Sequence, residues 1–258
     1  MIIENYGVGA RCKETLRLLL SAEADGLLPS GIKRYILLPI PSTRDKVHLT
    51  GTQKLLEVIF SDVGEGDFVA GYGIEESSIL SMKERGALVY DASLDEKFLT
   101  ENADATALGA LGYILTTSDK IPSDTKFAIV GYGRIGSALL RMLLFFKAKV
   151  TVLSGREKTC LDLGKCGVDT VYMPRGSAPL AEVDADIIIN TAPTDLSASF
   201  DGDALPENLR VIELASGNNF RGISGVEKLP GIPDKSYGKT AARLYFEGIM
   251  RAVKEAEK

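Results

Sequence analysis

The chain has 258 residues, of which 45% are hydrophobic and 25% charged; that is enough for one large domain or two modest ones, and too apolar for a disordered chain. Thirty Lys and Arg stand against 35 Asp and Glu, and the resulting formal charge of −5 offers no basic field to nucleic acid. No stretch approaches the ~18 consecutive apolar residues of a membrane helix. The opening Met-Ile-Ile-Glu-Asn-Tyr has no basic region ahead of an apolar core, so a cytoplasmic location without membrane partners is expected. Cys12, Cys160 and Cys166 lack metal-like spacing and are read as packing residues in a reducing compartment, with no metal site.

Short apolar runs alternate with stretches of helical period, the pattern of parallel βαβ units. A helix is predicted over 10–24, a strand over 35–38, then an irregular polar loop over 39–46. A helix over 53–61, a strand over 67–70, a helix over 75–84 and a strand over 87–90 follow. These make a first α/β layer over residues 1–105, and no Gly-rich turn is recognisable at its start. A helix over 106–117 leads into a second run, residues 106–235. Its strands are predicted at 127–130, 149–153, 170–172, 186–190 and 210–214, with helices at 134–146 and 157–165. A final amphipathic helix over 236–258, with Leu244, Ile249 and Val253 on its apolar side, is expected to pack back on the first layer.

Phe127-Ala-Ile-Val-Gly-Tyr-Gly-Arg-Ile-Gly136 is the strongest chemical signal. It is a G-x-G-x-x-G that follows a strand and opens a helix, as a dinucleotide fingerprint requires. Gly131 is expected to make the tight turn, Gly133 to admit the pyrophosphate and Gly136 to let helix and sheet pack closely. Tyr132 lies within the turn, and the amides of Arg134 and Ile135 would face the phosphates. The next strand ends Thr151-Val-Leu-Ser-Gly-Arg156, without the carboxylate that grips the ribose of NAD. Ser154, Gly155 and Arg156 suit a 2′-phosphate instead, which favours NADP. Two later strand ends, Asn190-Thr-Ala-Pro193 and Ala215-Ser216, are expected near the nicotinamide half. Fold and motif together predict α/β architecture in two lobes. One is a Rossmann-type doubly wound parallel sheet for the dinucleotide; the other is a smaller flavodoxin-like α/β lobe.

The chain resembles the A subunit of dipicolinate synthase over most of its length. The resemblance rests on Ile36-Leu-Leu-Pro-Ile-Pro-Ser-Thr43, the glycine turn, Ile188-Ile-Asn-Thr-Ala-Pro193, Ile212-Glu-Leu-Ala-Ser216, and Leu229-Pro-Gly-Ile-Pro leading to Gly238-Lys-Thr-Ala-Ala242. Asn102 and Thr106 match that family's N-x-x-x-T, whereas Leu108 stands where the family carries an acidic residue. The resemblance implies oxidation of dihydrodipicolinate to dipicolinate with NADP in a sporulating bacterium, and a flavoprotein-like second subunit of the enzyme. Homo-oligomeric assembly is also expected. A small dicarboxylate needs cations and hydroxyl donors, for which Ser42, Thr43 and Arg44 in the polar loop and Lys239 and Thr240 at the last helix are the substrate-binding candidates. The catalytic group is not identified; Lys239 and Arg44 are candidates. His48, the sole histidine, reads as a locally bonded residue. Rival readings are a dehydrogenase or hydrolase of this architecture acting on another small acid, and a non-catalytic cofactor-binding subunit.

Overall fold

The computed structural model describes residues 1–7, 9–174, 177, 180–200 and 202–256. In chain order the elements are β1 (Ile2–Asn5), α1 (Ala10–Ala24), β2 (Arg34–Leu37), α2 (Leu56–Ser61), β3 (Asp67–Gly71), α3 (Glu76–Glu84), β4 (Leu88–Asp91) and α4 (Glu96–Thr117). There follow β5 (Lys126–Val130), α5 (Arg134–Phe145), β6 (Lys149–Ser154), α6 (Glu157–Lys165), β7 (Asp169–Tyr172), β8 (Ile187–Asn190), β9 (Arg210–Glu213), β10 (Glu227–Lys228) and α7 (Ile232–Ala256). Two compact units result: residues 1–102 with 233–258, and residues 103–232. Both are α/β units built on parallel sheets. Among the described residues, no helix is long and apolar enough to cross a membrane.

In the first unit the described strands run β1-β2-β3-β4, in chain order. This is the flavodoxin-like order with its second strand removed. Leu19 of α1 packs with Phe98 of α4 and with Leu244, Tyr245, Ile249 and Val253 of α7 on one face of the sheet. Leu56, Ile59 and Phe60 of α2 and Met82 of α3 cover the other face. The steps from β1 to β2 and from β2 to β3 go the same way along the sheet, yet their helices lie on opposite faces. The two crossovers therefore have opposite hand. Since parallel crossovers are right-handed in nearly all cases, one of the two departs from the common rule.

In the second unit the order is β10-β9-β8-β5-β6-β7, the doubly wound dinucleotide-type order. The chain leaves β5 toward β6 on one side and returns to β8 on the other, so the switch point lies between β5 and β8. Apolar strands of this unit are buried on both faces, as parallel sheets demand: Ile129, Val152, Ile189 and Ile212 belong to one core, and Ala128, Leu153, Ile188 and Val211 to the other.

Four elements differ from the sequence expectation. β1 exists, and Gly7 and Gly9 lie between it and α1. Ile-Ile-Glu-Asn is a short, half-exposed edge strand, too brief to give a periodic signal. The helix expected from 106 begins at Glu96, where the Asp95 carboxylate accepts the Phe98 N–H at 3.1 Å and caps it. β10 is two residues long, too short for any periodic signal. The last helix starts at Ile232 and is interrupted at Tyr237, whose φ of −137° and ψ of 47° leave the helical region. Its expected end at 257–258 lies outside the described residues. Cys12 and Cys160 are buried, Cys12 with its thiol pushed up to about 11 by desolvation, but Cys166 is exposed.

Candidate functional site

β5 delivers Gly131 to the switch point with φ +93°, a conformation that glycine adopts without strain. A Cβ added there would lie 2.9 Å from both the Ala192 Cβ and the Thr191 hydroxyl. At Gly136 an added Cβ would run into the Gly131 carbonyl oxygen; this glycine lets α5 close on the turn itself. Nothing lies within 4 Å of a Cβ built on Gly133. The turn is thus packed below at Gly131 and Gly136 and open at Gly133, which is the cradle a pyrophosphate needs. Thr191 pins it from the β8 side, its hydroxyl donating to the Val130 carbonyl at 2.9 Å and the Gly131 carbonyl at 3.2 Å. Arg134 is exposed and Ile135 half-buried in the first turn of α5; Tyr132 packs against the core of the unit.

At the end of β6, Ser154 is buried, and its hydroxyl accepts the Arg156 N–H at 3.2 Å. Gly155 and Arg156 are exposed just ahead of α6. The short link from Ser154 to Arg156 fixes the backbone that carries the guanidinium.

The ends of β8 and β9 are tied together by a buried network. Asn190 is fully buried and donates to Glu213 Oε1 at 3.0 Å and Oε2 at 3.2 Å, while its own carbonyl oxygen accepts the Ala192 N–H at 3.1 Å. Asn190, expected near a nicotinamide, is a buried residue whose side chain holds the Thr191–Ala192 turn in place. Pro193 and Ser216 are exposed, and Ala215 is half-buried. Glu213 was not anticipated. Its carboxylate also accepts the Ala215 N–H at 2.9 Å and an Asn219 amide hydrogen at 3.2 Å. Burial pushes the Glu213 carboxyl above the ordinary glutamate range, against the downward pull of those hydrogen bonds. The available signal was a lone carboxylate closing the apolar run Val211-Ile-Glu-Leu214.

In the first unit the polar loop is folded around its own groups. Ser42 is buried, its hydroxyl accepting the Tyr72 N–H at 2.8 Å, so it clips the loop to the end of β3. The Thr43 hydroxyl accepts the Lys46 N–H at 2.9 Å, and Asp45 accepts the backbone N–H groups of Val47 and His48. These amides and the His48 ring, 2.8 Å away, hold the Asp45 carboxyl well below the usual range. A cavity of about 590 Å³ opens between the loop, α2 and α3; Ser42, Thr43 and Lys46 line it, and Arg44 does not. Arg44 is exposed and has no hydrogen-bond or ion-pair partner among the described residues. Lys239 and Thr240 are exposed in the first turn after the break at Tyr237. The loop candidates are therefore not a ready-made clamp. A buried cation of this unit, Arg11, carries no local signal in the sequence, its side-chain partner Asn102 being 91 residues away.

No family model and no curated protein sequence matches the chain. Among solved structures it is similar to the A subunit of dipicolinate synthase from Bacillus halodurans, at 21% identity and a TM-score of 0.69, covering 98% of this chain and 97% of that one. The corresponding polypeptide of dipicolinate synthase from Bacillus subtilis gives 17% identity and a TM-score of 0.71 over 100% and 96% of the two chains. D-lactate dehydrogenase from Salmonella gives 13% identity and a TM-score of 0.59 over 100% and 97%. Along its length, the chain has the fold of these dipicolinate synthase polypeptides.

Proposed function

We propose that this chain is an NADP-dependent oxidoreductase that removes hydride from a small dicarboxylate, with dihydrodipicolinate going to dipicolinate as the reaction. The observation that carries the reading is the β5–α5 turn, closed at Gly131 and Gly136 and open at Gly133, at the switch point of a doubly wound sheet. The residues present fit a dinucleotide: the turn leaves room for a pyrophosphate, and Arg156 beside Ser154 supplies positive charge where NAD-type sites carry an acid. NADP, when bound, supplies the hydride acceptor.

The protein's share is binding and orientation. Thr191 and the Asn190–Glu213–Asn219 network keep the β8 and β9 ends rigid around the turn. Arg156 and Ser154 select the phosphorylated ribose. Arg44 and Lys239, both exposed, are the cations this reading assigns to an anionic substrate. The ring to be oxidised gains aromaticity, so loss of its proton needs only a modest base. Assembly of several copies, and a flavoprotein-like second subunit, belong to the same reading. The test is to mix the purified chain with dihydrodipicolinate and NADP and follow the nicotinamide absorbance. NADPH formation is expected. Binding of NADP without turnover would favour a cofactor-sensing role, and turnover only with another acid would move the substrate.

A further inference from the structure

Arg11, the second residue of α1, takes no part in the function proposed above. It is 5% exposed. Its guanidinium donates to Asn102 Oδ1 at 3.0 Å and lies 5.9 Å from the centre of the Phe98 ring. The Nε–H is buried without a partner, and so is the hydroxyl of Tyr245, which feels the charge of the same guanidinium. Among the described residues no carboxylate forms an ion pair with Arg11. Buried charges are ordinarily paired, because a desolvated ion without a partner is costly. A carboxylate does stand close by: Asp234, from the start of α7, accepts the backbone N–H of Arg11 at 2.5 Å. It sits on the positive end of α1, where anions are favoured, and not on the guanidinium.

We propose that Arg11 and the amino end of α1 form a carboxylate-binding site, half filled by the chain's own Asp234 and completed by an acid ligand that pairs with the Arg11 guanidinium. The proposal rests on the function above only for the choice of acid, one carboxylate of a small dicarboxylate. Asp234 and the ligand carry like charges within one site, so they oppose each other. Removing either charged side chain of the protein should then move affinity in opposite directions, an outcome a merely structural Arg11 does not give.

Titration calorimetry of the full chain with dipicolinate, at constant ionic strength, tests this in the parent, Arg11→Met, Asp234→Asn and Arg17→Met. Arg17 is an exposed arginine on the same helix, paired with Glu14. Arg11→Met should weaken binding by about tenfold or more, the loss expected for a charge-assisted pair. Asp234→Asn should tighten it, and Arg17→Met should match the parent. Methionine removes a buried charge that no direct ion pair holds, so Arg11→Met should melt no lower than the parent. If it does melt lower, Arg11→Lys decides: clearly weaker binding supports the site, and parent-like binding overturns it. Parent-like binding in Arg11→Met, or weaker binding in Asp234→Asn, overturns it as well. A parallel NADP titration separates the two readings. A protein that binds dipicolinate through Arg11 but not NADP keeps this site and loses the oxidoreductase; one that binds NADP but not dipicolinate loses this site.

Discussion

On the proposed reading, the choice between NADP and NAD comes down to Arg156, two residues past β6. Its guanidinium is exposed and water screens it, so Arg156→Ala should weaken NADP binding by about 1.5 kcal/mol, the low end for a hydrogen bond to a charged group. NAD binding should stay at the parent value; paired titrations of the two cofactors check this. Glu213 makes a different demand. Its carboxylate faces the amide hydrogens of Asn190 and Asn219 and the Ala215 N–H, so in Glu213→Gln an NH2 group meets other donors. Denaturant unfolding at neutral pH should show a loss of about 1–3 kcal/mol, the cost of buried unsatisfied groups. The pH dependence follows from the raised carboxyl: between the ordinary glutamate value and the folded one, the native state binds more protons than the unfolded state. Parent stability therefore carries a component that falls as pH rises through that window, and the Gln variant lacks it. The glycines and Arg156 could be singled out in the sequence because their signal lies in their immediate neighbours. The sequence hid Glu213 and Arg11, whose partners Asn190 and Asn102 are 23 and 91 residues away.

The β5–α5 turn separates two kinds of glycine within six residues. Gly133→Val places its side chain in open space with φ at −92°, an ordinary backbone for any residue. It should keep a cooperative melt and lose the thermal stabilisation given by NADP. Gly136→Ala meets the Gly131 carbonyl and the Thr191 hydroxyl, so it should lower stability by about 1–3 kcal/mol, as overpacking does, even with no cofactor present. Equal melting of the two variants would contradict these placements. At this scale the sequence was legible wherever an apolar run was long enough: β5, β6 and α6 fall where the pattern put them. It was illegible where tertiary contacts decide. β1 is held by pairing to β2, and the first turns of α4 bury Phe98 against α7, which local periodicity does not report.

Over the whole molecule, the chain leaves its first unit after Asn102 and returns to it at Pro233, so the first unit depends on the far end of the sequence. Gly248 of α7 gives room to the Tyr90 ring, and Ile249 beside it is fully buried. Ile249→Ala should cost the first unit about 2–5 kcal/mol, the range for emptying a core site. NADP should still stabilise the variant, since the glycine turn lies in the second unit. Composition and alternating pattern were enough to read an α/β architecture on parallel sheets. The opposite hands of the first two crossovers were not readable, because the face a helix covers is a tertiary fact. What most directly decides the function is calorimetric titration of the parent and Gly133→Val with NADP. One NADP per chain should bind the parent, more tightly than NAD, and none should bind the variant. Absence of binding by the parent, or equal binding by the variant, would contradict a dinucleotide site at the β5–α5 turn.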